Sequence, residues 1–148
     1  MGVIPLPPDE LLTTTRSVRK RLDLSRPVPL ELVRECLQVA LQAPSASNMQ
    51  NWHWIVVTDP DLRAAIGDVY RRAVELYLAS EWSAAKQFAD DPIRAEIQQR
   101  VGQSVAYLGE HMGRVPVLMI PCLKLRSAEL PPGNQASDWG SLLPAAWS

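Results

Sequence analysis

The sequence predicts a fold that combines several helices with a sheet too small to stand by itself, and three observations carry this expectation. Apolar residues recur at three- and four-residue spacing from Pro29, from Leu62, from Ile93 and, more briefly, from Asp138, which is the signature of amphipathic helices. Only two runs, Trp52–Thr58 and Val115–Leu123, are dense enough in β-branched, aromatic and aliphatic residues to read as strands. Between the first strong helix pattern and the first strand lies Ala43-Pro44-Ser45-Ala46-Ser47-Asn48-Met49-Gln50-Asn51-Trp52, a polar segment with almost nothing to bury. Such a segment presents hydroxyls, amides and backbone N–H groups to something polar and planar.

Composition bounds the rest. The 148 residues suit one domain; 47% are apolar and 21% charged, and the formal net charge is −1. That balance gives no footing for nucleic acid or an anionic membrane surface. Met1–Pro8 has no basic stretch followed by a long apolar run, so no signal peptide is expected, and no segment approaches the roughly 18 to 20 apolar residues that span a bilayer. A soluble, cytoplasmic protein is the expectation. Cys36 and Cys122 are far apart and embedded in apolar patterns, so they read as buried, reduced thiols. His53 and His111 have no second ligand at a useful spacing, and no metal site is expected.

Taken in order, Pro7–Leu12 begins a short helix, with proline and the acids Asp9 and Glu10 in its first turn, ending near Thr13–Thr15. Arg16–Arg21 then carries four of the fifteen basic residues. It reads either as a solvated basic surface or as an anion clamp, in which Arg16 and Arg19 give forked donors and Ser17 a hydroxyl to a single phosphate group. From Pro29, Leu30, Val33, Leu37, Ala40 and Leu41 form one apolar stripe, widened by Leu32 and Cys36; this helix of about four turns is broken at Pro44. Trp52–Thr58 is expected to be a strand buried on both faces in its second half. Asp59-Pro60 caps a helix of about five turns through Tyr77. Residues 78–91 lose the period and read as a mobile excursion or short helices, with Trp82 either plain packing or the lining of a channel.

Asp91-Pro92 opens another helix, which ends near His111-Met112-Gly113, where the glycine suits a C-terminal cap. Val115–Leu123 is a second buried strand, its prolines near the ends or on an edge. A loop from Lys124 to Ser137 leads to an apolar helix that starts at Asp138 and stops without a capping signal. Two strands cannot make a stable open sheet, so either the chain is a fragment or something outside it completes the fold.

Arg16-Ser17-Val18-Arg19, then a helix, then Pro44-Ser45-x-x-Asn48-x-Gln50-x-Trp52 entering a strand, resembles the nitroreductase-like family of flavoproteins. The resemblance is strongest over residues 13–58 and looser through 115–123 and 138. It implies an α+β fold with a central, mainly antiparallel sheet flanked by helices and completed by homodimerisation, in one nitroreductase-like domain over 1–148 that is truncated at its C-terminus. It further implies FMN at the dimer interface. Arg16, Ser17 and Arg19 would hold the phosphate and ribityl chain; Pro44, Ser45, Ser47, Asn48 and Gln50 would meet the isoalloxazine edge or ribityl hydroxyls. An isoalloxazine needs hydrogen-bond partners at one end and a flat floor, and its phosphate needs cations, so the residue types agree. The chain departs from the family at Thr15, which replaces the first of two adjacent arginines, and at Asn51, which replaces proline before Trp52. The spacer from Arg19 to Pro27 is longer, and the parts beyond residue 148 that usually cover one flavin face are not in the sequence.

The activity implied is ping-pong reduction: NADPH or NADH gives hydride to FMN, and a small acceptor such as a nitroaromatic or quinone takes the electrons. No side chain need serve as nucleophile, and no paired carboxylates or Ser/His/Asp set argue otherwise. Two other readings stand beside it. One is a flavin-binding or sequestering protein without efficient turnover; the other is a truncated helical interaction module whose helix at 138–148 needs a partner.

Overall fold

The computed structural model describes residues 5–125 and 135–147. The elements are α1 (Pro8–Thr14), α2 (Leu30–Ala40), β1 (Trp52–Val57), α3 (Pro60–Ala79), α4 (Pro92–His111), β2 (Leu118–Leu123) and α5 (Gln135–Trp147). They divide into two compact units, Met1–Arg26 with Thr58–Pro116 and Pro27–Val57 with Val117–Ser148. Residues 126–134, most of the loop expected between β2 and α5, lie outside the described residues, as do residues 1–4.

In the first unit the helix ends follow the sequence signals. Asp59 Oδ1 accepts from the Leu62 N–H at 2.9 Å with Pro60 in the first turn of α3. Asp91 Oδ1 accepts from the N–H groups of Ile93 and Arg94, both at 3.1 Å, ahead of Pro92 in α4. Each cap satisfies donors that a helix start leaves without partners. In α1 the hydroxyls of Thr13, Thr14 and Thr15 donate back to the carbonyls of Asp9, Glu10 and Leu11 at 2.6–2.7 Å, which competes with continuation of the helix.

Helices α3 and α4 and the 3-10 turn Met112–Arg114 pack through glycines. A Cβ on Gly67 would lie 2.5 Å from the Gly113 backbone, and one on Gly109 would lie 2.9 Å from a Val74 methyl. Gly113 has no left-handed backbone, so the expectation of a glycine C-cap is corrected. Its lack of a side chain serves close approach, because a Cβ there would lie 3.1 Å from the Ala64 Cα. Arg63 fastens the two ends of this unit's second segment, donating to the carbonyls of Thr58 and Val115. The excursion after α3 resolves into a 3-10 turn, Ala84–Lys86. Buried Ser83 precedes it, and the Ala84 N–H donates to the Tyr77 hydroxyl at 2.8 Å. Trp82, one residue before Ser83, is 83% exposed, so it is not packed in the core.

In the second unit β1 and β2 form one antiparallel pair, in register from Trp52 opposite Leu123 to Val57 opposite Leu118. Pro121 stands opposite Trp54 and is tolerated because β2 has only one ladder neighbour. The strands are not buried as expected. His53 and Ile55 of β1 are exposed, as are Met119 and Ile120 of β2. The apolar composition was legible, but a pair of strands has a face and edges that no described element of the unit covers. Helix α5 begins before the expected Asp138 and contains Pro144, which cannot donate to the Gly140 carbonyl. It seals the start of the sheet: Leu142 and Ala145 bury against Trp52, flanked by Ala43, Trp54 and Leu123. Cys36 is exposed on α2 and Cys122 half-buried in β2, both free, which corrects the expectation of two buried thiols. Along α2 only Val33 and Ala40 are buried; the stripe is longer than the surface the unit gives it.

Candidate functional site

The polar segment after α2 is built by a chain of short hydrogen bonds. Helix α2 closes with the Leu41 N–H donating to the Leu37 carbonyl at 2.9 Å and the Ala43 N–H to Ala40 at 3.2 Å; Pro44 and extended Ser45 then redirect the chain. A 3-10 turn follows at Ala46–Asn48, with the Asn48 N–H on the Ser45 carbonyl at 3.0 Å and the Met49 N–H on Ala46 at 3.1 Å. The Ser45 hydroxyl accepts from the Gln50 N–H at 3.1 Å, and the Gln50 amide donates to Asn48 Oδ1 at 2.8 Å.

Three non-glycine residues here have left-handed backbones: Ser47 (φ 52°), Asn48 (φ 53°) and Gln50 (φ 47°). Asparagine tolerates this region; serine and glutamine adopt it at a cost that the surrounding structure must offset. The surroundings do so at both ends of the loop. Ser141 on α5 is buried; its hydroxyl accepts from the Ala46 N–H at 3.0 Å and its carbonyl from Trp52 Nε1 at 2.7 Å. Asn51 donates from its side chain to the Lys124 carbonyl at 2.7 Å, and its own carbonyl accepts the Lys124 N–H at 2.9 Å.

Of the five loop residues expected at a ligand, Pro44, Ser47, Asn48 and Gln50 are exposed, and Ser45 is half-buried with its hydroxyl engaged in the turn. Beside them Asn51 Oδ1 is buried without a hydrogen-bond partner among the described residues. An orphaned acceptor next to exposed amides and hydroxyls fits a polar heterocycle with its own N–H groups. Sequence reasoning missed Ser141. The only available signal was a small polar residue inside the apolar run Trp139–Leu143, and that run gave no reason to connect it with the loop.

The residues expected at a phosphate, Arg16, Ser17 and Arg19, belong to the first unit, whereas the loop belongs to the second. Arg16 Nη1 donates to the carbonyls of Thr13 and Thr15 at 2.9 and 2.7 Å, so part of its guanidinium secures the end of α1. Ser17 is exposed. Arg19 is half-buried, and its side chain makes no hydrogen bond or ion pair among the described residues. Just beyond, Asp23 accepts from the Ser25 hydroxyl at 2.8 Å and from the N–H groups of Ser25 and Arg26 at 3.2 Å. The Ser25 hydroxyl bond, more than any other influence, holds the Asp23 carboxyl below its ordinary range. Neither Arg16 nor Arg19 is neutralised by a carboxylate among the described residues, which suits an anion.

Comparison with known proteins identifies the family and the fold. The profile of the Nitroreductase family matches residues 12–143. NADH dehydrogenase of Thermus thermophilus is 37% identical over 91 residues, which covers 56% of this chain and 43% of that protein. Iodotyrosine deiodinase 1 of Rattus norvegicus is 34% identical over 67 residues, 45% of this chain and 23% of that protein. The chain thus spans less than half the length of these curated relatives. A BluB-like flavoprotein from Clostridium difficile 630 shares the fold, with a TM-score of 0.60 at 22% identity over 96% of this chain and 67% of that one. A helix-rich chain with a small antiparallel sheet is the α+β class expected from the sequence.

Proposed function

The chain belongs to the nitroreductase family, and on that premise we propose that it is an FMN-dependent oxidoreductase that transfers electrons from NADPH or NADH to nitroaromatic, quinone or similar small acceptors. The observation that carries this reading is the loop at 44–51. Its exposed amides and hydroxyls are held in three left-handed backbone conformations, costly at Ser47 and Gln50, by contacts from α5, an expense without purpose for an idle surface loop. Bound FMN would supply the two-electron chemistry, accepting hydride from the nicotinamide and releasing it to the acceptor in a ping-pong cycle.

The chain's own residues bind and orient. Arg19 offers an uncommitted guanidinium to the phosphate, with Arg16 and Ser17 adding charge and a hydroxyl. Asn48 and Gln50, locked to each other through an amide pair, present a fixed edge for the heterocycle, and Pro44, Ser45 and Ser47 shape the approach to it. Among the described residues no group of His, Cys, Asp or Glu is arranged to hold a metal ion, and no helix is long and apolar enough to cross a membrane. We place the protein in the cytoplasm as a homodimer. The exposed apolar residues of the second unit support a second copy as its partner. The similarity to iodotyrosine deiodinase 1 favours a second acceptor class, iodinated phenols, over the same cofactor.

The test is titration of the purified chain with FMN, followed by anaerobic addition of NADPH or NADH. Saturable binding followed by rapid bleaching of the flavin absorbance is expected, with reoxidation by a nitroaromatic, a quinone or iodotyrosine identifying the acceptor. Binding without bleaching would leave a flavin-binding protein without turnover. A chain that takes up no FMN would overturn both readings.

A further inference from the structure

We propose that Ser141 is the positioning residue of the candidate site, holding the loop at 44–51 in the form that receives its ligand; this rests on the flavin reading above. Ser141 acts on the ends of the loop, through the Ala46 backbone and the Trp52 indole. It is 3% exposed and uses two different atoms on opposite ends of the same loop. Its hydroxyl accepts the Ala46 N–H at 3.0 Å, at the first residue of the 3-10 turn, and its carbonyl accepts Trp52 Nε1 at 2.7 Å, where the chain enters β1.

One residue of α5 therefore sets the separation between the loop's two ends, and the turn between them contains Ser47, Asn48 and Gln50 in left-handed conformations. Such conformations persist only where the surroundings over-determine them. The neighbouring positions of α5 strengthen the arrangement, because Leu142 and Ala145 pack on the ring of the same Trp52 that Ser141 fastens. Without the Ser141 hydroxyl, the Ala46 N–H is left partly buried and without its acceptor, which favours release of the turn.

The experiment compares the wild-type chain with Ser141→Ala, Ala46→Pro and the double variant. Proline at 46 removes the N–H that Ser141 receives, and extended Ser45 (φ −133°, ψ 152°) is the backbone that precedes proline without conflict. Amide exchange over residues 45–51 and the FMN dissociation constant are measured for each, with urea unfolding to report the fold itself. In Ser141→Ala we expect exchange at Asn48, Met49 and Gln50 to quicken about tenfold and the FMN dissociation constant to rise about fivefold to tenfold, the loss of one part-buried hydrogen bond. The urea midpoint should move far less than it does for a core truncation.

In the Ala46→Pro background the serine substitution should add less than about twofold, since the donor is already gone. Unchanged exchange in Ser141→Ala, or full additivity with Ala46→Pro, would overturn the inference. Faster exchange with an unchanged FMN dissociation constant would overturn its link to the ligand. Failure of the wild-type chain to take up FMN would overturn the reading of the site, while the exchange data would still decide whether Ser141 holds the loop.

Discussion

At the residue scale the two arginines of the basic run differ in what they have left to give. Arg16 already spends donors on the carbonyls of Thr13 and Thr15, so its removal should disturb the end of α1 as well as any ligand. The Arg19 side chain has no hydrogen-bond or ion-pair partner among the described residues, and half-burial strengthens whatever charge contact it makes. Arg19→Ala should therefore weaken FMN binding by about 1.5–3 kcal/mol, the range for a lost hydrogen bond to a charged group. Fluorescence titration of the flavin measures it, and an unchanged dissociation constant would remove Arg19 from the phosphate site. Asp23 gives a pH signature in the same segment. Its carboxylate is favoured chiefly by the Ser25 hydroxyl, then by the Ser25 and Arg26 backbone, so its folded pKa is depressed. The stabilisation is present above the ordinary aspartate value of about 3.9 and is lost as pH falls through the folded value. An NMR titration should place the Asp23 midpoint below about 3.9, and Ser25→Ala should move it back up. Arg16 and Arg19 were legible from their clustering. Asp23 was not singled out, because its role depends on a turn rather than on a spacing.

At the element scale the caps were the most legible feature, and their cost of removal is calculable. Asp91 receives two N–H groups of α4, so Asp91→Ala should destabilise the chain by about 1 kcal/mol, within the 0.5–2 kcal/mol range for lost N-caps. Asp-Pro before an apolar period is a local signal, complete within one turn, and both such signals in this chain open a long helix. The glycines are the opposite case. Gly67 and Gly113 meet across two elements, and a Cβ on Gly67 would stand 2.5 Å from backbone atoms that cannot rotate away. Gly67→Ala should cost about 1–3 kcal/mol despite alanine's better helix propensity, read as a lower urea midpoint. A midpoint unchanged or raised would show that the two elements can separate without penalty. Nothing in the residues around Gly113 distinguishes a C-cap from a close contact, since the contact is made by a residue distant in sequence. The left-handed Ser47 and Gln50 were hidden for the same reason. Their conformations are imposed by Ser141 and by the Ser45 hydroxyl, not by their own propensities.

At the scale of the whole molecule, the apolar surface of the second unit is what asks for a partner. Ile55 on β1 is 52% exposed, and Trp139, Leu143 and Trp147 on α5 are 56%, 59% and 87% exposed. Leu143 and Trp147 also line an open apolar groove with Gly140, Pro144 and Ala146. The sequence expects the apolar face of the helix at 138–148 to need a partner, and periodicity reports that the face is apolar, not which chain covers it. Covering these side chains with a second copy would remove several large hydrophobic groups from water, each contributing about 1.5–3 kcal/mol when fully buried. The proposed homodimer is therefore predicted to be measurable at micromolar concentration, provided this burial exceeds the cost of association. Sedimentation equilibrium should give a mass near twice 16.4 kDa, with thermal unfolding that shifts to higher temperature as the protein concentration rises. Leu143→Glu puts a carboxylate on the exposed side of α5, where the single chain loses little, but a covered interface would have to desolvate the charge. That variant should weaken association on the order of tenfold or more while its urea transition at low protein concentration stays close to that of the parent. Equal dimer dissociation constants for parent and variant would mean that the α5 face is not the surface two copies share, and a mass of 16.4 kDa at every concentration would remove the homodimer altogether.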